Sequence, residues 1–375
     1  MRKAFNFRLF TNANQERELD IALETHRRLY NAYLDLRELA CSMYGVPLSY
    51  VDCSRWFKGQ RATNPFFARI NFSSAQATMR RLDKAFAAFF RRIKAGEEPG
   101  FPRFKGRDFF DSIEFPAYGD GIKLVNGKLR VTNVGLIRIK MHRPLEGKIK
   151  TVSLKREAGH WYAVFSCDLG DVPIEPSTNP PVGIDVGLES FFTTSDGARE
   201  PNPRYQKTAL PELRRAQRSH ARKRKGGKNR RKSRRKVAKI HARVKRLRRE
   251  HHHQVSLKLV RRYGLVVVES LNIRGMLKND KLARSISDAG WAGFLETLRT
   301  KAESAGVAYV EVDARGTSQQ CSACGSEVRK GLSVRQHDCP HCGLSLHRDE
   351  NAARNILARG LLARTGPAGG NVRVA

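Results

Sequence analysis

The chain of 375 residues carries 71 lysines and arginines against 36 acidic residues, which gives a net charge of +35. Such an excess indicates a polyanionic partner, and nucleic acid is the leading candidate. An anionic membrane is the alternative, but the sequence has neither a long apolar run nor a signal-peptide pattern. We therefore expect a cytoplasmic, nucleoid-associated protein with no membrane partner.

The N-terminal part of the chain changes from a strand pattern to a helical one. Residues 4–10 alternate between apolar and polar side chains, which predicts a strand. From Asn14 to about Arg92 the apolar residues recur at spacings of three and four, which predicts helices, and the second helical run covers residues 73–93. Residues 53–64, between the two runs, are mostly polar and basic.

Three side chains of this helical region are candidates for contact with nucleic-acid bases. Tyr50, Phe72 and Gln76 lie in a predicted loop and at a predicted helix start. Aromatic rings can stack on bases, and an amide can form hydrogen bonds with their edges. The alternative is that the region is only a helical scaffold.

Short alternating runs follow a linker rich in glycine and proline at residues 96–106. Turn sequences such as Asn126-Gly127 separate them, which is typical of antiparallel strands. The runs are Ser112–Phe115, Gly121–Val125, Lys128–Val131, Leu136–Lys140, Lys148–Lys155 and Trp161–Cys167.

These strands predict a small β-barrel that is interrupted by the helices. We expect residues 1–10 and 107–175 to form the barrel and residues 11–106 to form an inserted helical domain. The proline-rich stretch at residues 173–181 predicts a boundary between domains.

The second half of the chain opens on an apolar strand, VGIDVG, with Asp185 at its centre. The run GLVVVES repeats this pattern and ends in Glu269. A third acid, Asp349, opens a helical segment whose small side chains can pack closely on a sheet. Each acid alone is compatible with an ordinary sheet edge. Because three adjacent carboxylates repel one another unless a cation neutralises them, together they predict a Mg²⁺ site.

A very basic segment lies between the first two acids. Residues 214–249 contain twenty lysines or arginines and no acidic residue, and Gly226-Gly227 interrupts them. We expect two helices, joined at the glycines, that bind a phosphate backbone without sequence preference. The alternative is a solvated charged face, which self-repulsion makes unfavourable. The candidate contacts are Arg222, Arg224, Lys228, Arg230, Arg231, Arg234 and Arg235.

Beyond Glu269, residues 288–304 have the pattern of one amphipathic helix, and residues 307–312 that of a strand. From Gly366 the chain is rich in glycine, and we expect a frayed tail there. No glycine-rich nucleotide-binding motif occurs, so we expect no ATP requirement.

Four cysteines precede the third acid in two Cys-x-x-Cys pairs with fourteen residues between the pairs. This spacing predicts one tetrahedral, structural Zn²⁺ site with four thiolate ligands. Two disulfides are the alternative, but nothing in the sequence indicates secretion. The predicted ligands are Cys321, Cys324, Cys339 and Cys342.

In this order, the motifs VGIDVGLESFFTTSDG, VVVESLNIRGM and TSQQCSACG to CPHCGLSLHRDENAARNI resemble those of the TnpB family. These are RNA-guided nucleases of bacterial insertion sequences and relatives of the type V CRISPR effectors. One departure is His347, where many relatives carry an acidic residue. The N-terminal half matches more loosely.

The resemblance implies a multidomain α+β protein with an RNase H-like (RuvC) nuclease domain. That domain would comprise residues 176–315 and 344–362, including the basic segment 210–260, and a zinc ribbon at residues 316–343 would interrupt it. Residues 363–375 would form the tail. By the same resemblance, the barrel is wedge-like and residues 11–106 form a recognition domain.

By the same resemblance, Asp185, Glu269 and Asp349 are the nuclease carboxylates. They would hold two Mg²⁺ ions, with Asp185 as the shared ligand. Arg335 and Arg315 could contact the phosphate in the transition state, although solvated charge or an RNA contact would explain them equally well.

The implied function is RNA-guided, Mg²⁺-dependent cleavage of double-stranded DNA next to a short duplex motif. The implied partners are a structured guide RNA from the transposon end and the target DNA, bound by a monomeric ribonucleoprotein in the bacterial cytoplasm. The alternatives are a compact type V CRISPR effector, a strand-joining transposase, and a guided repressor that binds without cutting.

Overall fold

The computed structural model describes residues 2–107, 109–170, 175–331, 334–365 and 373–374. The chain divides into two compact units, residues 1–172 and 173–375. None of the described helices is both long enough and apolar enough to cross a membrane.

The N-terminal unit contains one antiparallel sheet of seven strands, in the order β2-β6-β7-β1-β5-β4-β3. It curves into a nearly closed barrel, and along β1 the alternating side chains Phe5, Phe7 and Leu9 are buried, as predicted. The strands are β1 (Arg2–Phe10), β2 (Ser112–Phe115), β3 (Ile122–Val125), β4 (Lys128–Val131), β5 (Gly135–Lys140), β6 (Lys148–Glu157) and β7 (His160–Asp168).

Four helices are inserted between β1 and β2: α1 (Ala13–Tyr44), α2 (Tyr50–Thr63), α3 (Pro65–Ala68) and α4 (Phe72–Lys94). Helix α1 is capped by Asn12, whose side chain accepts a hydrogen bond from the Gln15 amide in a capping box. Helix α4 is capped by Asn71. Ser73 and Ser74 lie inside its first turn.

The polar interval predicted at residues 53–64 is a helix in the structure. A capping box between Ser49 and Asp52 starts α2, and the buried side chains of Cys53 and Phe57 lie one turn apart on it. Two buried apolar residues give too weak a periodicity to predict a helix from the sequence. In the structure they stabilise α2, because α4 packs against them.

The C-terminal unit contains a mixed sheet of six strands, in the order β10-β9-β8-β11-β12-β15. Strand β8 pairs antiparallel with β9 and parallel with β11, and β11 pairs parallel with β12. The strands are β8 (Pro181–Val186), β9 (Ser190–Thr194), β10 (Arg199–Pro201), β11 (Leu265–Ser270), β12 (Ala308–Asp313) and β15 (Arg373–Val374). A two-stranded hairpin, β13 (Gln336–Asp338) with β14 (Ser345–His347), precedes the last helix.

The basic segment forms two helices, α5 (Tyr205–Ala221) and α6 (Lys228–Arg262), that meet at the predicted glycines. The helix predicted at residues 288–304 is divided: α8 (Ala283–Ala289) ends at Gly290, and α9 (Trp291–Ser304) starts after it. Gly290 has a φ of +70°, a conformation that ends a helix. A short helix, α7 (Ile273–Met276), lies between β11 and α8.

The last helix, α10 (Arg348–Thr365), packs directly on β8 and β11. A Cβ atom at Gly183 of β8 would lie 2.1 Å from the carbonyl oxygen of Ala353, so only glycine permits this approach. Ala352 and Ala353 are buried, which confirms the predicted small-residue face.

The predicted tail is described only in part. Arg373–Val374 pair with Val310 and Glu311 of β12, so these two residues are not frayed as predicted. Residues 366–372 and 375 lie outside the described part of the chain, and so do residues 171–174, which overlap the predicted linker.

Candidate metal centres

The four predicted cysteines come together in the C-terminal unit. Their sulfur atoms all lie within 4.8 Å of one another, with Sγ–Sγ distances of 3.7 Å from Cys321 to Cys342 and 3.6 Å from Cys324 to Cys339. Sulfurs bound to one zinc at about 2.3 Å form a tetrahedron with edges of about 3.8 Å. The cluster therefore fits a structural Zn²⁺.

The alternative of two disulfides is wrong, because all four cysteines are free and their sulfurs are too far apart to be bonded. Hydrogen bonds from Ser326 lower the pKa of the Cys324 thiol to about 6, whereas, against a hydrogen bond with the Leu344 backbone, burial and the neighbouring thiols raise the pKa of Cys342 to about 12. A lower pKa favours the thiolate, which is the form that binds a metal.

Two buried asparagines of α10 attach the helix to the start of the cysteine cluster. Asn351 accepts a hydrogen bond from the Ser322 amide and donates one to the carbonyl of Gln320, which precedes Cys321. Asn355 donates to the carbonyls of Gln320 and Thr317. The first helical turns of α10 are therefore held by the same backbone that carries the first knuckle, the Cys321/Cys324 pair.

Asp185 and Glu269 lie side by side in the mixed sheet. In the register of β8 and β11, Ile184 pairs with Val268, and the two acids are the next residue of each strand. Because the strands are parallel and about 4.8 Å apart, both side chains leave the sheet near the same edge. Each acid is partly buried.

Asp349 is the second residue of α10 and reaches the same edge of the sheet. A Cβ atom at Gly187, just past the end of β8, would lie 4.0 Å from Oδ2 of Asp349. Burial raises the pKa of Asp185 well above its ordinary value, and the charges of Glu269 and Asp349 raise it further. The three predicted acids therefore interact, and a cation among them would relieve their repulsion.

The three carboxylates are spread more widely than the thiols. Among the described residues, only the cysteine cluster brings three or more possible metal-ligand atoms within 4.8 Å of one another. One small cation with three direct ligands would need a tighter group. A pair of ions about 3.5 to 4 Å apart can be held by carboxylates that are farther from one another.

The sequence did not predict the contact between Thr317 and Glu269. The Thr317 hydroxyl donates to Oε1 of Glu269 at 2.6 Å and lies 3.0 Å from the carbonyl of Ala314. Burial raises the pKa of Glu269, and the Thr317 hydrogen bond opposes that rise. The polar residue just before the first knuckle was the only sequence signal for this role.

Arg335 lies beside Asp349, one of the three predicted acids. Its Nε is 3.1 Å from Oε2 of Glu189, and its Nη1 is 3.9 Å from Oδ1 of Asp349. Glu189 was not predicted, because no local pattern relates it to a residue so far along the chain. Arg315, by contrast, is almost fully exposed next to Asp313.

His347, the departure from the family motif, caps the start of α10. Its Nδ1 accepts a hydrogen bond of 3.2 Å from the Asp349 amide and lies 3.9 Å from Oδ2 of the same residue. A side-chain acceptor at this position satisfies a free amide of the first turn, which an acidic side chain could also do.

The predicted phosphate contacts lie around the turn between α5 and α6. Six of the seven side chains are exposed. Arg230 is the exception. Its guanidinium donates hydrogen bonds to the carbonyls of His220 and Lys223 and so caps the C-terminal end of α5. The exposed six are Arg222, Arg224, Lys228, Arg231, Arg234 and Arg235.

The three candidate base contacts lie at the starts of α2 and α4 in the N-terminal unit. The ring of Tyr50 lies 5.1 Å from the Arg80 guanidinium carbon. Phe72 is 37% exposed and stacks on the buried Phe57. Gln76 is partly buried one turn further along α4.

Comparison with known proteins identifies the family. Residues 164–280 match the OrfB/IS605 family model, described as "Probable transposase", residues 291–356 match "Cas12f1-like, TNB domain", and residues 1–42 match "Helix-turn-helix domain". A Streptomyces pristinaespiralis protein named "Putative RNA-guided DNA endonuclease" is 36% identical over 374 residues, which covers 97% of this chain and 90% of that protein. The chain belongs to the OrfB/TnpB family.

TnpB membership confirms the resemblance seen in the sequence motifs. "Putative RNA-guided DNA endonuclease InsQ" of Escherichia coli K12 is 29% identical, with 96% of this chain and 92% of that protein covered. The solved structure of the mini-RNA-guided endonuclease CRISPR-Cas_phi3 has a similar fold, with a TM-score of 0.53 at 10% identity over 99% of this chain and 93% of that one. In this TnpB chain the part matched as helix-turn-helix consists of β1 and most of α1.

Proposed function

We propose that the protein is an RNA-guided DNA endonuclease that hydrolyses phosphodiester bonds with Mg²⁺. The observation that carries the proposal is that three acids come together. Asp185 and Glu269 lie side by side on parallel strands, each just after the paired residues Ile184 and Val268, and Asp349 approaches from α10. The names of the full-length relatives support the same activity.

Asp185, Glu269 and Asp349 would hold the Mg²⁺ ions, with Asp185 between the other two. Bound Mg²⁺ supplies an activated water and stabilises the leaving oxygen of a phosphodiester. The side chains themselves would place negative charge where the cations bind, and the Thr317 hydrogen bond favours the ionised form of Glu269 and orients its carboxylate. Arg335 would leave Glu189 and pair with the scissile phosphate, since a guanidinium binds phosphate with two parallel hydrogen bonds.

We assign the C-terminal unit as the RNase H-like nuclease domain, with residues 316–343 as the zinc ribbon and residues 11–106 as a helical recognition domain. The mixed sheet with acids at the ends of adjacent strands supports the first assignment. The four-cysteine cluster supports the second, and the four inserted helices support the third.

The proposed partners are a guide RNA and a target DNA duplex. The net charge of +35 and the exposed cations around the α5–α6 turn support a nucleic-acid partner. Base pairing with the guide would then supply most of the sequence specificity. A guided repressor would have no need for these carboxylates, and all three are present.

Asp185→Asn tests the proposal, because it removes the charge but keeps the shape of the side chain. The purified ribonucleoprotein should lose DNA cleavage by at least about 10³-fold, while RNA and DNA binding are unchanged. Asp280→Asn, which changes an exposed carboxylate in the turn between α7 and α8, should cleave at close to the wild-type rate. Full cleavage by Asp185→Asn, or loss of binding together with cleavage, would overturn the assignment.

A further inference from the structure

The stretch after α4 exposes several aromatic rings. Phe101, Phe104 and Phe109 are 46%, 53% and 82% exposed, and Phe90 of α4 is 53% exposed. Isolated apolar side chains at a surface are ordinary, but four phenylalanines within residues 90–109 are a cluster. Most of this stretch lies at the end of the proposed recognition domain, but no nucleic-acid contact assigned above falls on it, and the sequence identified residues 96–106 only as a linker.

The stretch is anchored to two helices of the same unit. At one end, the Phe101 ring packs edge-on against Phe86 and Phe89 of α4, at centroid distances of 5.6 Å and 5.3 Å. At the other, the Lys105 amide donates to Asn31 of α1, and the Lys105 carbonyl accepts from Asn31 and Arg27. Phe104, between these anchors, is therefore exposed on a backbone that is held in place.

Cations alternate with these rings. Residues 89–109 contain six lysines or arginines and three acids, a net charge of +3. Arg91, Lys94 and Arg103 are exposed, and within the described chain none of the three has a salt bridge or a side-chain hydrogen bond. Their charges are available to a partner.

We propose that residues 89–107 together with Phe109 form a stacking surface for single-stranded nucleic acid. Bases would stack on Phe104 and Phe109, and phosphates would pair with Arg91, Lys94 and Arg103. Exposed aromatic faces interleaved with cations are what unpaired strands bind, because every base offers a π face and every linkage a charge. The net charge of +3 over residues 89–109 favours a polyanion over a protein partner.

This inference deepens the proposed function, on which it rests, by naming a surface that would hold an unpaired part of the guide or of the displaced DNA strand. Stacking and charge pairing have different salt dependences. Phosphate pairing weakens as salt rises, because bound counterions are released, whereas the contribution of stacking is nearly independent of salt. The contributions of the cations and of the aromatic rings can therefore be measured separately.

The test measures the affinity of the full-length protein for a labelled oligouridylate and a labelled oligothymidylate over a series of KCl concentrations. Phe104→Ala with Phe109→Ala should weaken binding at least about tenfold at every salt concentration, and Trp at both positions should restore it. Arg91→Ala with Arg103→Ala should reduce the salt slope by about 1.5. Tyr44→Ala, which removes a 74%-exposed ring at the end of α1, is the matched control and should bind as wild type.

The probe bound more tightly identifies the strand, and either preference supports the surface. Binding by the double Phe variant within about twofold of wild type at every salt concentration would overturn the inference. So would an unchanged affinity together with a loss of self-association, which would instead assign the rings to a contact between copies of the chain. If wild type cleaves DNA as a ribonucleoprotein but binds neither probe, the inference alone fails. If wild type binds and cleaves while the double Phe variant does the same, the inference alone fails.

Discussion

The hydroxyl of Thr317 donates a hydrogen bond of 2.6 Å to Oε1 of Glu269. Thr317 is buried just before the first cysteine knuckle, so this bond joins the zinc ribbon to the strand that carries the second acid. Since burial raises the pKa of Glu269, the loss of this donor should raise it further.

Thr317→Val has the same shape but lacks the hydroxyl. We expect the Mg²⁺ concentration for half-maximal DNA cleavage to rise about tenfold, which is the usual effect of removing a hydrogen-bond partner of a metal ligand. The acidic limb of the pH–rate profile should move to higher pH, because Glu269 must be ionised to bind the cation. Thr317→Ser should restore both properties. A Val variant with the wild-type Mg²⁺ requirement would show that this bond has no part in the site.

The cysteine cluster should support Asp349 through Gln320. Cys339→Ser should abolish binding of one zinc per chain, measured by elemental analysis, and should reduce cleavage by more than about tenfold. The cause is that Gln320, which Asn351 and Asn355 contact, would no longer be held by the adjacent knuckle. Hydrogen exchange should therefore quicken at the start of α10.

Cys41→Ser is the matched control, because Cys41 is an exposed, isolated cysteine of α1. It should retain zinc, cleavage and slow exchange in α10. Cleavage at the wild-type rate by a zinc-free Cys339→Ser protein would contradict the supporting role of the ribbon.

His26 should make the N-terminal unit sensitive to acid. The ring is buried, with Nδ1 2.8 Å from Oγ1 of Thr78 and Nε2 3.2 Å from Oγ of Ser74. Burial, helped by the charge of Arg81, lowers its pKa from 6.5 to about 3. Between these values the unfolded chain binds a proton that the folded ring does not. The free energy of unfolding therefore falls as the pH falls, by up to about 1.4 kcal/mol per pH unit.

His26→Leu removes this titration. In a Trp291→Phe background the remaining tryptophans, Trp56 and Trp161, both report on the N-terminal unit. Urea unfolding followed by their fluorescence between about pH 6 and pH 4 should show a pH slope smaller by about 1.4 kcal/mol per unit in the variant. His142→Leu, which removes an exposed imidazole, should keep the wild-type slope. Equal slopes for His26→Leu and wild type would show that His26 is protonated in the folded unit.

The exposed arginines of α6 should bind phosphates without reading sequence. Arg231 and Arg235 are exposed and one turn apart, so they lie on one face. Replacing both with alanine should reduce the slope of log K against log salt by about 1.5, and equally for unrelated RNA sequences. The control, Arg299→Ala, removes an arginine of α9 that is already paired with Glu296 and Glu303. A change confined to one RNA sequence would indicate base recognition instead.

Features with a local signal could be predicted from the sequence. The bounds of β2 and β4 are those predicted, because alternation and turn residues mark both ends of each strand. Cysteine spacing predicted the cluster because each Cys-x-x-Cys pair is a local unit. Apolar runs that carry a single acid located Asp185 and Glu269 on strands.

Features that depend on contacts between residues far apart in the sequence could not be predicted from it. Helix α2 has only two buried apolar residues, so its periodicity is too weak to read without α4 beside it. Thr317 and Glu269 are 48 residues apart, and only the fold brings them together. The same is true of Glu189 and Arg335, whose pairing requires β9 and the ribbon to meet at one edge.

The most direct test of the central claim is a guide exchange. The protein would be expressed with the flanking DNA of its gene and purified, and the RNA bound to it would be sequenced. The segment predicted to pair with DNA would then be replaced and cleavage mapped on plasmids carrying the old or the new target. We predict one discrete RNA from the flank and cleavage that moves to the new target. If no specific RNA is bound, or if the cut stays at the old site, the protein is not an RNA-guided nuclease.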